Sequence, residues 1–262
     1  MEIISYNLDF WRRISKYNNF DAKKWLTHIN MLLQDPFADF ILLQEINPFY
    51  VLGKDYDHSN NNIHQFNLFN RNNYYYHELK DALKNECPND KFWGNAIIAK
   101  TNYILLKNHN YVDNKYAGEK YYGYESLMCY DFKVNEKDTV TLINHYKKGL
   151  NGNYDYDEGF FNEIQKILKT VNDKNLIFFA GDFNAKSDTL DRITKMGFIE
   201  KTKHFENTMV DIKGVKPYHN DCIFVNSKYS EYVNVKRMYG EVDPKEAYEY
   251  SDHHGYKSTI NL

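Results

Sequence analysis

The chain is predicted to fold as a mixed α/β or α+β protein, on three observations. Apolar runs of strand length, such as Phe40–Gln44 (FILLQ) and Leu176–Ala180 (LIFFA), recur along its 262 residues. Other stretches carry apolar residues at helical spacing, and at least one pair of strand-like runs is joined by a short polar turn. Strand–helix–strand alternation implies parallel pairing and a tight turn implies antiparallel pairing, so both are expected. No repeat, linker or low-complexity block divides the sequence, and one domain spanning residues 1–262 is expected.

Taken in order, Glu2–Leu8 alternates and reads as the first strand. Phe20–Leu33 sets Trp25, Ile29, Leu32 and Leu33 on one helical face, and the Asp35–Pro36 step ends that helix. FILLQ is a buried strand. The Asn-rich stretch Ser59–Asn73 reads as a loop holding a short strand, and Tyr74–Tyr76 as a strand or core edge. Asn95–Lys100 reads as a strand, as do Leu127–Val134 and Thr139–Asn144, which the polar turn Asn135–Asp138 joins as a hairpin. Phe160–Val171 places Phe160, Ile164, Ile167, Leu168 and Val171 on one face of a second helix. LIFFA follows as a buried strand, then a short helix at Asp188–Met196. Asp221–Asn226 and Lys257–Leu262 complete the strands.

Composition narrows the function. Lys plus Arg is 33 and Asp plus Glu is 36, a net charge of −3, which excludes a strongly basic protein that coats nucleic acid by bulk electrostatics. A local basic groove is compatible with that sum. The aromatic content of 17% argues against disorder. Cys87, Cys129 and Cys222 form no CxxC or Cys/His zinc pattern, so a reducing compartment is expected. The start, MEIISYNLDFW, has no basic segment followed by an apolar one, and no apolar run reaches the roughly 20 residues that span a bilayer. A cytoplasmic monomer without membrane contact is expected.

Polar residues collect at the ends of the apolar runs. Ile3–Tyr6 ends at Asn7 and then Asp9. FILLQ ends at Glu45, TLI at Asn144 and His145, and LIFFA at Gly181, Asp182, Phe183 and Asn184. Ser251, Asp252 and His253 precede the last strand. Loops converge at the C-terminal ends of strands, so such residues can meet in one cleft. Carboxylates and amides are hard oxygen ligands that suit Mg²⁺, Mn²⁺ or Ca²⁺ rather than zinc. Together with histidines they fit metal-assisted phosphoryl chemistry, in which charge building on oxygen is neutralised.

SYNLD, LLQE, GDFNA and SDHHG stand in this order across essentially the whole chain. That series resembles the endonuclease/exonuclease/phosphatase superfamily, with the fold of deoxyribonuclease I. The resemblance implies a four-layer αββα sandwich of two mixed sheets flanked by helices. It implies that Glu45 is the principal metal ligand, with Asp9 and Asp252 as further metal-side carboxylates. Asn7 would hydrogen-bond the nucleophile or a catalytic acid. Asp182 and Asn184 would orient and activate the attacking water, with Asp182 as general base. His253 would stabilise charge at the scissile phosphate, Asp221 would orient His253, and His145 would contact phosphate oxygens or protonate the leaving group. His254 is expected to be structural, and Asn95 either faces the cleft or packs.

The sequence departs from the family at His219–Ile223 (HNDCI), where an Arg-x-Asp-Tyr-Ile motif is usual, and again at Tyr124–Glu125, where many members carry arginine. Lys147, Lys148 and Arg71 are the candidate replacements for those phosphate-gripping groups. The expected function is divalent-metal-dependent phosphodiester hydrolysis by a nuclease acting on DNA or RNA with Mg²⁺ or Mn²⁺. The alternatives are a phosphatase or phosphodiesterase acting on a small or lipid phosphoester, such as an inositol phosphate or sphingomyelin, and a binding module that has lost catalysis. A module of that last kind should have lost Glu45, Asp182, Asn184 or His253, and all four are present.

Overall fold

The structure, a computed structural model, describes residues 1–8, 38–46, 63–65, 74–78, 94–109, 111–113, 125–147, 158–185, 187–205, 220–238 and 253–262. Among these, one sheet contains β1 (Glu2–Asn7), β2 (Phe40–Ile46), β3 (Ile63–Gln65), β4 (Tyr74–Glu78), β5 (Gly94–Lys100), β13 (Val233–Arg237) and β14 (Tyr256–Ile260). The second contains β6 (Ile104–Asn108), β7 (Tyr111–Asp113), β8 (Glu125–Lys133), β9 (Thr139–Lys147), β10 (Leu176–Asp182), β11 (Phe198–Glu200) and β12 (Asp221–Asn226). Their orders are β13-β14-β1-β2-β5-β4-β3 and β11-β12-β10-β9-β8-β6, with β7 also pairing with β8.

Each sheet has one parallel pair at its heart. β1 runs with β2, from Ile3 opposite Phe40 to Asn7 opposite Gln44, and β9 runs with β10, from Val140 opposite Leu176 to Tyr146 opposite Asp182. The neighbours β14, β5 and β12 run antiparallel to these pairs. With β8, which runs antiparallel to β9 from Glu125 opposite Lys147, four of these strands end and four begin along one rim of the sandwich. That rim collects every described polar strand end noted in the sequence.

The sheets face each other through alternate residues. Ile3, Phe40, Leu42 and Ile97 meet Met128, Tyr130, Leu142, Phe178 and Ile223 in one buried cluster. The opposite parity of the second sheet, including Ile143, Phe179 and Phe224, packs under α1 (Glu158–Thr170) and α2 (Ser187–Lys195). α1 buries Phe160, Phe161, Ile164 and Ile167 at the spacing read from the sequence. Glu158 in its first turn and Lys169 in its last suit the helix dipole. The outer face of the first sheet is buried too, at Ile4, Tyr6, Ile41 and Leu43. The helix expected at Phe20–Leu33 lies outside the described residues. No described helix is long and apolar enough to cross a membrane.

The β8–β9 hairpin forms where expected. Asn135 Oδ1 accepts the N–H groups of Lys137 and Asp138, each at 2.8 Å, and Val134 N–H donates to the Asp138 carbonyl at 3.0 Å. At the rim, β9 and β10 approach so closely that only glycine fits. A Cβ on Gly181, at φ +151°, would stand 1.9 Å from the His145 carbonyl oxygen. Gly181→Ala should therefore cost about 3 kcal/mol of stability, as overpacking does when backbone must move. The expected result is a lower urea midpoint with an unchanged slope; an unchanged midpoint would contradict it.

Candidate active site

The rim is organised around the carboxylate of Asp182, which is 1% exposed. Three N–H donors reach it. Asn7 Nδ2, from the opposite sheet, donates to Oδ2 at 2.9 Å. Asn184 Nδ2 donates to the same oxygen at 2.7 Å, and the Asn184 backbone N–H donates to Oδ1 at 3.0 Å. Burial pushes the Asp182 pKa well above the ordinary carboxylate range. The nearby His253 charge opposes that shift, the Asp221 and Glu45 charges add to it, and the Asn184 N–H opposes it.

Two backbone irregularities arrange this centre. In β2, Phe40, Leu42 and Gln44 face the other sheet, so strict alternation would turn Glu45 away. The pairing with β5 shifts register between Leu43 and Ile46, and Glu45 adopts φ +50°. A bulge of this kind re-aims a side chain. Glu45 Oε1 stands 3.4 Å from Asn7 Nδ2, so the Asn7 amide bridges Glu45 and Asp182. Asn184 is the second case, with φ +42°, a conformation that Asn tolerates better than most residues. A non-glycine residue held there costs about 1–2 kcal/mol, which the surrounding hydrogen bonds must offset.

Behind the carboxylates lies a brace of amides between the sheets, with Asn144 at its centre. Gln44 Nε2 donates to Asn144 Oδ1 at 2.6 Å, and Asn144 Nδ2 donates to the carbonyls of Leu43 and Ala96, each at 2.9 Å. Asn95 Nδ2 donates to the Asn144 carbonyl at 3.3 Å. Asn95 therefore serves the brace. The sequence reading assigned no role to Gln44 or Asn144, although both flank residues it singled out.

At the other side of the cleft, Asp221 Oδ2 is 2.8 Å from His253 Nδ1, with both residues buried. That bond fixes the ring and leaves proton exchange to Nε2. His254 is distinct. Burial, together with the Arg237 and His253 charges, lowers its pKa to about 4. Arg237 continues the inward parity of Val233 and Val235 and lies 5.2 Å from the centre of the Phe205 ring. It supplies a guanidinium near His254 that the motif spacing did not reveal.

One expected residue is not brought to this cleft. His145 is fully buried on the α1 side of β9, with its ring centre 5.0 Å from Phe160 and 4.8 Å from Phe183. Alternation explains the correction. Val140, Leu142 and Asn144 face the first sheet, so His145 faces the helices. Asp9, Asp252, Arg71 and Lys148 lie outside the described residues. Lys147 is buried, and its carbonyl accepts Asn184 Nδ2 at 2.8 Å.

The donor chemistry of Glu45, Asn7 and Asp182 suits a hard divalent cation. Among the described residues, no group of three or more His, Cys, Asp or Glu side chains is placed to hold a metal ion by itself. The described part of the site thus offers a partial ligand set, to which the expected carboxylates of Asp9 and Asp252 would add.

No protein-family model and no curated protein matches this sequence. Solved structures do match. A TDP2 of D. rerio humanized by 14 mutations aligns at TM-score 0.69 and 16% identity, covering 100% of this chain and 99% of that one. An endonuclease/exonuclease/phosphatase family protein from Leptotrichia buccalis aligns at 0.68 and 17%, covering 100% of both chains. A mannosyl-6-phosphatase from Bacteroides thetaiotaomicron aligns at 0.65 and 16%, again over 100% of both. The chain has the endonuclease/exonuclease/phosphatase fold that its motifs implied.

Two outcomes follow from this geometry. Asn144→Leu would strand the Gln44 amide and two buried carbonyls, and should cost about 3 kcal/mol in urea unfolding. His254 makes stability depend on pH. Its folded pKa of about 4 lies below the ordinary 6.5, so the unfolded chain binds more protons between those values. Stability should fall as pH drops through that window, and His254→Gln should flatten the slope. Parallel profiles for the two proteins would contradict this.

Proposed function

We propose that this protein is a divalent-metal-dependent phosphoester hydrolase whose substrate is a nucleic-acid phosphodiester. The observation that carries the reading is the Asp182 carboxylate, buried at a polar rim and gripped from both sheets by Asn7 and Asn184. A carboxylate so oriented, with its proton affinity raised by burial, suits a base that takes a proton from an attacking water. Asn7 keeps Glu45 and Asp182 in fixed relation. His253, oriented by Asp221, is the group that would stabilise charge developing on the phosphoryl oxygens. Glu45, with Asp9 and Asp252, would hold Mg²⁺ or Mn²⁺, and a bound ion supplies neutralisation of that same charge.

The choice of a nucleic acid draws support from a D. rerio TDP2 structure complexed with single-strand DNA product, at TM-score 0.68 and 15% identity. A small phosphoester is the second reading, favoured by the mannosyl-6-phosphatase likeness. The two separate in one assay set. Labelled plasmid, linear DNA, single-stranded DNA and RNA are incubated with Mg²⁺ or Mn²⁺, and phosphate release is followed from sugar and inositol phosphates.

Cutting of a polymer that weakens steeply with salt, as phosphate contacts require, is expected. Asp182→Asn and His253→Gln should each lower kcat by about 100-fold or more while leaving the fold intact. Glu45→Gln should abolish the heat of Mn²⁺ binding in calorimetry. Phosphate release without polymer cutting would move the substrate to the small phosphoester. Failure of the folded, metal-bound protein on every phosphoester would refute the hydrolase reading.

A further inference from the structure

We propose that Asn220 is a positioning residue, whose side-chain amide holds Asn184 in the one orientation that lets Asn184 grip Asp182. The effect on rate rests on the hydrolase reading above; the effect on Asn184 does not.

The Asn184 side chain makes three bonds. Its Nδ2 donates to Asp182 Oδ2 at 2.7 Å and to the Lys147 carbonyl at 2.8 Å. Its Oδ1 accepts from Asn220 Nδ2 at 3.0 Å. The two ends of an asparagine amide are nearly the same size, so shape alone does not choose between them. Complementarity does. In the observed orientation every contact pairs a donor with an acceptor. Rotated by half a turn, Oδ1 would face two acceptors and Nδ2 would face the Asn220 donor. Asn220 is buried, so a mismatch there would have little water to relieve it.

Asn220 fastens the same turn a second time through its backbone. Its carbonyl accepts the Phe183 N–H at 2.8 Å, one step beyond the Asp182–Asp221 pair in the β10–β12 ladder. One residue thus ties Phe183 and Asn184, just past the end of β10 and with Asn184 in its left-handed conformation, to the strand that carries Asp221 and so orients His253. In the sequence it is the second residue of HNDCI, directly before Asp221, and nothing in that pattern marks it.

The test is an isosteric change in the full chain. Asn220→Asp replaces the donor with an acceptor at almost constant shape, and sets a carboxylate against Asn184 Oδ1. With Mn²⁺ and bis(4-nitrophenyl) phosphate, kcat should fall about tenfold or more with KM within about twofold. Asn220→Ser, whose hydroxyl can donate, should recover most of the loss. In ¹H–¹⁵N spectra the Asn184 side-chain amide protons should exchange slowly in the parent protein and lose that protection in Asn220→Asp.

An Asn184 signal that ignores the substitution would overturn the proposal. So would an unchanged kcat in an active enzyme whose Asn184 signal has moved. If the parent protein hydrolyses nothing and the Asn184 signal still depends on residue 220, the hydrolase reading fails and the positioning role stands. Should Asn220→Asp not fold, Asn220→Ala decides by the same spectrum: faster exchange at Asn184 supports the role, and unchanged exchange overturns it.

Discussion

A carboxylate withdrawn from water must be met by donors, and at Asp182 that requirement is met from two sheets at once. Asn7 reaches it from β1, while Asn184 reaches it from the turn after β10. Leaving such a group unsatisfied would cost several kcal/mol, so the relative position of the sheets at this rim is tightly specified. The amide brace through Gln44, Asn144 and Asn95 makes the same demand one layer deeper. Polar groups here do work that apolar packing does elsewhere between the sheets, and they do it directionally. Toward the far end of the sandwich, the described residues between the sheets are aromatic and aliphatic side chains such as Phe132 and Phe40.

Topology delivers the residues and local backbone aims them. Parallel pairing of β1 with β2 and of β9 with β10 brings strand ends to one edge. Alternation would then face Glu45 outward, and the register shift beside β5 together with its positive φ reverses that. Gly181 allows β10 to lie against the His145 backbone so that Asp182 remains in the ladder. Among the described residues, the two non-glycine residues with positive φ, Glu45 and Asn184, both sit at this rim, in keeping with strain stored where geometry must be exact enough for chemistry.

Much of this was legible in the sequence because polar strand ends interrupt strongly apolar runs. The hairpin at Asn135–Asp138, the α1 face, and the β2 and β10 runs all announce themselves through period and turn chemistry. What escaped has physical causes. Central strands such as β9 are buried on both faces, so alternation does not say which parity points at the cleft. The family resemblance points His145 at the cleft, whereas Asn144, one residue earlier, is the group that faces the other sheet. A bulge leaves no mark in residue order, so the aim of Glu45 could not be read from its parity. Short strands such as β11 and β7 carry too few residues for a period. β13 did carry one, with Val233 and Val235 alternating against Asn234 and Lys236, and that signal also marks Arg237 as inward-facing.

The most direct measurement is where Mn²⁺ goes. With assigned side-chain amide resonances, substoichiometric Mn²⁺ should broaden the signals of Asn7 and Asn184 first, because both amides touch Asp182. The Asn175 and Asn226 amides serve as internal controls, since they are bonded at the opposite end of β10. Early loss of Asn7 and Asn184 with intact controls is the result expected of a metal centre built on Glu45 beside Asp182. Uniform broadening, or loss of the Asn175 and Asn226 signals first, would contradict it.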